Sequence, residues 1–68
     1  MNCFSRRLRD LREERGMTRA ELAAKLNISV RLISYWECGK RECSFDTLLQ
    51  LAEIFNTSTD YLLGRVDY

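Results

Sequence analysis

An all-α fold of five short helices is predicted by three features of this 68-residue chain. Apolar residues recur at spacings of three and four rather than alternating, Ser or Thr stands ahead of the later apolar runs, and a glycine follows three of the runs. The chain has no proline to interrupt a helix.

The first helix is expected from about Ser5 to Arg15, with Leu8, Leu11 and Arg12 on one face, Gly16 as its stop and Met17 turning inward. Thr18 with Glu21 three residues on is a capping box, so a second helix starts at Arg19 and runs through Leu22, Ala23 and Leu26. Ser29 caps a third helix that reaches about Glu37 and ends before Gly39. Ser44 caps a fourth, with Phe45, Leu48, Leu51, Ala52 and Phe55 expected inside. A short fifth helix follows Thr57 to Thr59, with Asp60 suited to its positive end and Gly64 as its stop.

At this length a single domain, residues 1–68, is expected, burying about 60% of its unfolded surface and leaving no space for a deep cleft between layers. Histidine, the commonest general base and metal ligand, is absent, and no nucleophile–base or paired-carboxylate arrangement exists. The chain is therefore not expected to be an enzyme. No apolar run approaches the roughly 20 residues of a membrane span, and no signal-like core precedes the first helix. A cytoplasmic location without a membrane partner is the expectation, and with it reduced thiols at Cys3, Cys38 and Cys43. Cys3 is expected in a frayed terminus, and the spacing of the other two does not match zinc pairs, so neither metal nor cofactor is expected.

The net charge of +1 hides an asymmetry. Residues 1–41 hold ten Lys+Arg against five Asp+Glu, whereas residues 42–68 hold one against five. Such a dipole is a cue for a polyanion-binding face.

Asn27 and Ile28 alone separate the second helix from the Ser29 cap, which suits a sharp helix-turn-helix corner rather than an antiparallel hairpin. Ala23 is small where two helices cross, and Asn27 tolerates a left-handed turn. Leu22, Leu26, Ile28, Ile33 and Trp36 are expected to face inward. The outward face of the third helix then carries Val30, Arg31, Ser34, Tyr35 and Cys38, and Val30 to Tyr35 contains no acid.

A helix with such a face suits the major groove of double-stranded DNA. Arg31 can donate two hydrogen bonds to guanine, Ser34 can bond several bases, and Val30 can meet a thymine methyl. Tyr35 is placed for a base edge or a phosphate, and Ser29, at the start of the helix, is a further candidate for DNA contact. Arg19 at the start of the second helix, and Lys40 and Arg41 beyond the third, are candidates for the phosphate backbone. Taken singly, each cation is equally an ordinary solvated side chain.

The stretches LRDLREERGMTRAELAAKLNIS, VRLISYWECGKRE and SFDTLLQLAEIFNTSTDYLLG together resemble the Cro/CI-type, or XRE, helix-turn-helix family of bacterial and phage regulators. The resemblance covers about Leu8 to Gly64 and implies a compact five-helix, lambda-repressor-like domain whose third helix reads DNA as a homodimer. It also implies that Arg12 and Glu37 form a structural ion pair between the first helix and the end of the third. Departures include Arg19 where the family often has Gln, Asn27 for Gly, Cys43 for Pro, the larger Trp36, and Leu32 at a commonly small, polar site, where it is expected to cover the start of the fourth helix.

The expected role is transcriptional control in a bacterial or phage setting, by repression at an inverted-repeat operator, with activation through polymerase contact as a variant. Leu63, Val66 and Tyr68 are the candidate dimer seam. The alternative is an antitoxin or adaptor that uses the same fold chiefly to bind protein.

Overall fold

The computed structural model describes residues 3–68 and contains five helices: α1 Phe4–Glu14, α2 Arg19–Leu26, α3 Val30–Glu37, α4 Phe45–Ile54 and α5 Thr59–Leu63. Four of them begin alike. Thr18, Ser29, Ser44 and Ser58 each hold extended backbone, and each side-chain oxygen accepts an N–H from three residues on. At Thr18 the box is complete, because its own N–H reaches Glu21 Oε1 at 2.8 Å. Hydrogen bonding from the Thr18 backbone N–H, and after it from the Thr18 side chain, holds the Glu21 carboxyl below its ordinary pKa.

All five helices also end alike. Gly16, Asn27, Gly39, Asn56 and Gly64 have positive φ. The next residue's N–H then returns to the carbonyl five positions back, as in Ile28 to Ala23 at 3.0 Å and Thr57 to Ala52 at 2.9 Å. The corners Asn27-Ile28-Ser29 and Asn56-Thr57-Ser58 are thus built from one device, a left-handed Asn followed two residues later by a serine cap.

Phe4, Leu8 and Leu11 from α1, Leu22, Ala23 and Leu26 from α2, Ile33 and Trp36 from α3, Leu51, Ala52 and Phe55 from the end of α4, and Leu62 from α5 form one core. Met17, Ile28, Leu32 and Leu48 pack around it, half-buried. Phe4 meets Trp36 edge-on at 6.4 Å, which draws α1 one residue earlier than Ser5.

Two sequence expectations are corrected. Phe45 is 87% exposed rather than inside. It opens α4, and a helical side chain leans back toward the N-terminus, so it projects past the end of the core. Cys3 is tied down rather than frayed. Its N–H donates to the Leu63 carbonyl at 3.3 Å, its carbonyl accepts from Arg7, and its side chain lies where a Cβ on Gly64 would come within 2.8 Å.

Two arginines of α1, Arg7 and Arg12, and Arg15 at its C-cap brace the body. Arg7 lies over the Tyr61 ring at 4.1 Å and donates to the carbonyls of Tyr61 and Val66, at 3.2 and 3.3 Å. Arg15 donates to the Phe55 carbonyl at the end of α4, where a cation offsets the negative helix end. Arg12 turns the other way, toward α3. Among the described residues no helix is long and apolar enough to cross a membrane.

Candidate nucleic-acid interface

The corner at Asn27, φ 57° and ψ 47°, sets α3 across α2 and leaves one side of α3 uncovered. Ile33 and Trp36 point inward, so the residues on the opposite side of the helix must point out. Val30 is 44% exposed, Arg31 and Cys38 are exposed, and Ser34 and Tyr35 are half-buried along the same side. Ser29 Oγ accepts the Leu32 N–H at 3.3 Å, which leaves its own hydrogen to donate outward. Arg31 has no acidic partner among the described residues.

The loop after α3 folds back on it. The Tyr35 carbonyl accepts the N–H groups of Lys40 at 2.9 Å and Arg41 at 3.4 Å, and the Arg41 guanidinium lies 5.4 Å from the centre of the Tyr35 ring. A shallow notch of about 200 Å³ is lined by Tyr35, Lys40 and Arg41. Two cations and a phenol at one helix end make a favourable place for a phosphate.

Behind this face stands a carboxylate shared by two arginines. Arg12 Nε donates to Glu37 Oε2 at 2.7 Å and Arg12 Nη2 to Oε1 at 3.2 Å, while Arg12 Nη1 donates to the Met17 carbonyl at 2.8 Å. The bonds to Glu37 raise the Arg12 pKa against the opposing effect of burial, so Arg12 holds its charge firmly. Arg19 Nε also reaches Glu37 Oε1, at 3.1 Å. That link spans 18 residues of sequence, and no local pattern signals it.

The residues named for a dimer seam are divided. Leu63 and Val66 are half-buried, Leu63 against the core and Val66 with its carbonyl on Arg7. Tyr68 is 88% exposed. Phe45 and Leu49, one turn apart on α4, are further exposed apolar side chains that periodicity alone does not distinguish from core. The three cysteines are unpaired, and burial pushes the Cys43 thiol up to about 11.

Residues 8–62 match the family model described as "Helix-turn-helix". The chain is 45% identical over 62 residues to the HTH-type transcriptional regulator ImmR of Bacillus subtilis, covering 91% of this chain and 49% of that protein. It is 37% identical over 62 residues to the HTH-type transcriptional regulator DdrOP3 of Deinococcus deserti, covering 91% of this chain and 48% of that one. The crystal structure of a transcriptional regulator from Listeria innocua superimposes with a TM-score of 0.91 at 30% identity, over 97% of this chain and 62% of the other. The chain thus spans about half the length of the curated relatives it matches.

Proposed function

The chain belongs to the helix-turn-helix family, and from that premise we propose that it is a sequence-specific DNA-binding transcriptional regulator, not an enzyme, whose α3 enters the major groove. The observation that carries this reading is the side of α3 left open by the fold. It is free of acid from Val30 to Tyr35, presents Val30 and Arg31 outward, and ends at the paired cations Lys40 and Arg41. In this reading Arg31, Ser34 and Val30 meet base edges, and Tyr35 stands at the boundary between bases and backbone. Ser29, Arg19, Lys40 and Arg41 hold phosphates and set the register.

The domain measures 28 Å in its longest direction, less than the roughly 34 Å between successive major-groove faces on one side of B-DNA. A single copy therefore reads one half-site, which supports a homodimer on an inverted repeat. Tyr68, with the half-buried Leu63 and Val66 beside it in sequence, is the proposed seam. Repression follows if the dimer occupies a promoter in the cytoplasm. The test is affinity for a duplex across a salt series, together with sedimentation of the complex. Binding that weakens steeply with salt and saturates at two copies per site is expected. Binding indifferent to salt contradicts the DNA reading, and a monomer on a saturated site contradicts the dimer.

A further inference from the structure

Glu37 faces two guanidinium groups with one negative charge. Its side chain is only 1% exposed and its carboxylate accepts three hydrogen bonds, two from Arg12 and one from Arg19. Arg12 is 11% exposed and directs its remaining terminal nitrogen to the Met17 carbonyl, so it is enclosed. Arg12 also has Glu13 Oε2 at 4.0 Å from Nη2, so its charge is met on two sides, and the cation of the group that reaches solvent is Arg19, whose side chain is 43% exposed. Arg19 is fastened by Nε alone, and its two terminal nitrogens bond no other described residue. A guanidinium gripped at Nε still has its outer edge, two coplanar N–H groups with the spacing of two phosphate oxygens.

We propose that Glu37 is a positioning residue for DNA binding: it holds Arg19 by Nε so that the outer edge of the guanidinium meets a backbone phosphate. The proposal rests on the DNA-binding reading above and adds a mechanical link to it. The carboxylate that joins α1 to the end of α3 through Arg12 also aims the phosphate contact at the start of α2. A free surface arginine loses rotamer freedom when it grips a ligand, and one already held has less to lose. Lysine cannot replace it, because a single ammonium on a flexible stem lacks the rigid fork that serves Glu37 and a phosphate together.

The experiment uses the full chain and a fluorescein-labelled DNA duplex, read by anisotropy across a salt series, with thermal denaturation of each variant measured first. Arg19→Lys should bind about five-fold more weakly with the wild-type salt slope. Arg19→Ala should bind more weakly still, with a slope shallower by about one. In a Glu37→Gln background the Arg19→Lys change should cost about two-fold at most, because the hold is already lost. If Glu37→Gln does not fold, Glu37→Asp, which keeps the charge on a shorter stem that withdraws from Arg19, takes its place, and an Arg19→Lys cost that stays about five-fold in that background overturns the clamp. Wild-type affinity for Arg19→Lys, or an unchanged salt slope for Arg19→Ala, overturns the clamp while leaving DNA binding intact. Failure of the wild-type chain to bind any duplex at low salt overturns the functional reading itself.

Discussion

Replacing Arg12 by methionine keeps most of the apolar stem and removes the guanidinium. Glu37, 1% exposed, then loses two of its three hydrogen bonds, and the Met17 carbonyl loses the donor now at 2.8 Å. Breaking a buried ion pair from one side costs about 3 to 5 kcal/mol, because the surviving charge is left without water or partner. Arg19 still holds Glu37 at 3.1 Å, which places the expected cost at the lower end, about 3 kcal/mol. A domain of this size has a total stability of about 3 to 10 kcal/mol, so the loss is a large share of it. At about 4 to 8 °C per kcal/mol the midpoint of thermal unfolding should fall by about 12 to 24 °C. Circular dichroism through the transition measures it. The Arg12→Met, Glu37→Met double variant should be less destabilised than the two single costs added together, since no lone charge is then buried. A fall of less than about 4 °C in Arg12→Met refutes the reasoning, because it would mean that the Glu37 carboxylate is not stranded.

Three further outcomes concern the surface. Arg31→Ala should cost about 1 to 3 kcal/mol on a selected site and relax preference at one base position; undiminished discrimination there removes Arg31 from base reading. Lys40→Ala and Arg41→Ala should weaken all duplexes alike and make the salt slope shallower by about one each, and a change confined to one sequence contradicts the phosphate assignment. Burial pushes the Cys43 thiol up to about 11, so at about pH 8 iodoacetamide should label the exposed Cys38 well before Cys43. Labelling of Cys43 should keep rising as pH approaches 11, whereas a plateau near pH 9 contradicts the buried thiol.

The helices were legible in the sequence because their signals are local. A cap and its acceptor lie three residues apart, and a left-handed Gly or Asn closes a helix within the following residue, so Thr18, Ser29, Ser44, Gly16 and Asn27 announce their roles without tertiary knowledge. The open side of α3 follows from the same periodicity, since Ile33 and Trp36 fix which way is in. Links between distant residues were not legible. Arg7 with Tyr61, Arg15 with Phe55 and Arg19 with Glu37 lie 54, 40 and 18 residues apart, and nothing short-range marks them. These links change the charge argument. Arg7, Arg12 and Arg15 brace the body, so the excess of cations in residues 1–41 overstates the charge available to a polyanion. Phe45 misled for a related reason: periodicity assigns a face but not where along the helix that face runs out of neighbours.

Selection of bound duplexes from a random DNA pool tests most directly the claim that α3 reads sequence. Enrichment of an inverted repeat with half-sites centred about 34 Å apart is expected, with loss of one conserved position in each half-site when Arg31→Ala is selected in parallel. A pool that stays random after selection at low salt contradicts that claim and assigns the open face of α3 to a protein partner.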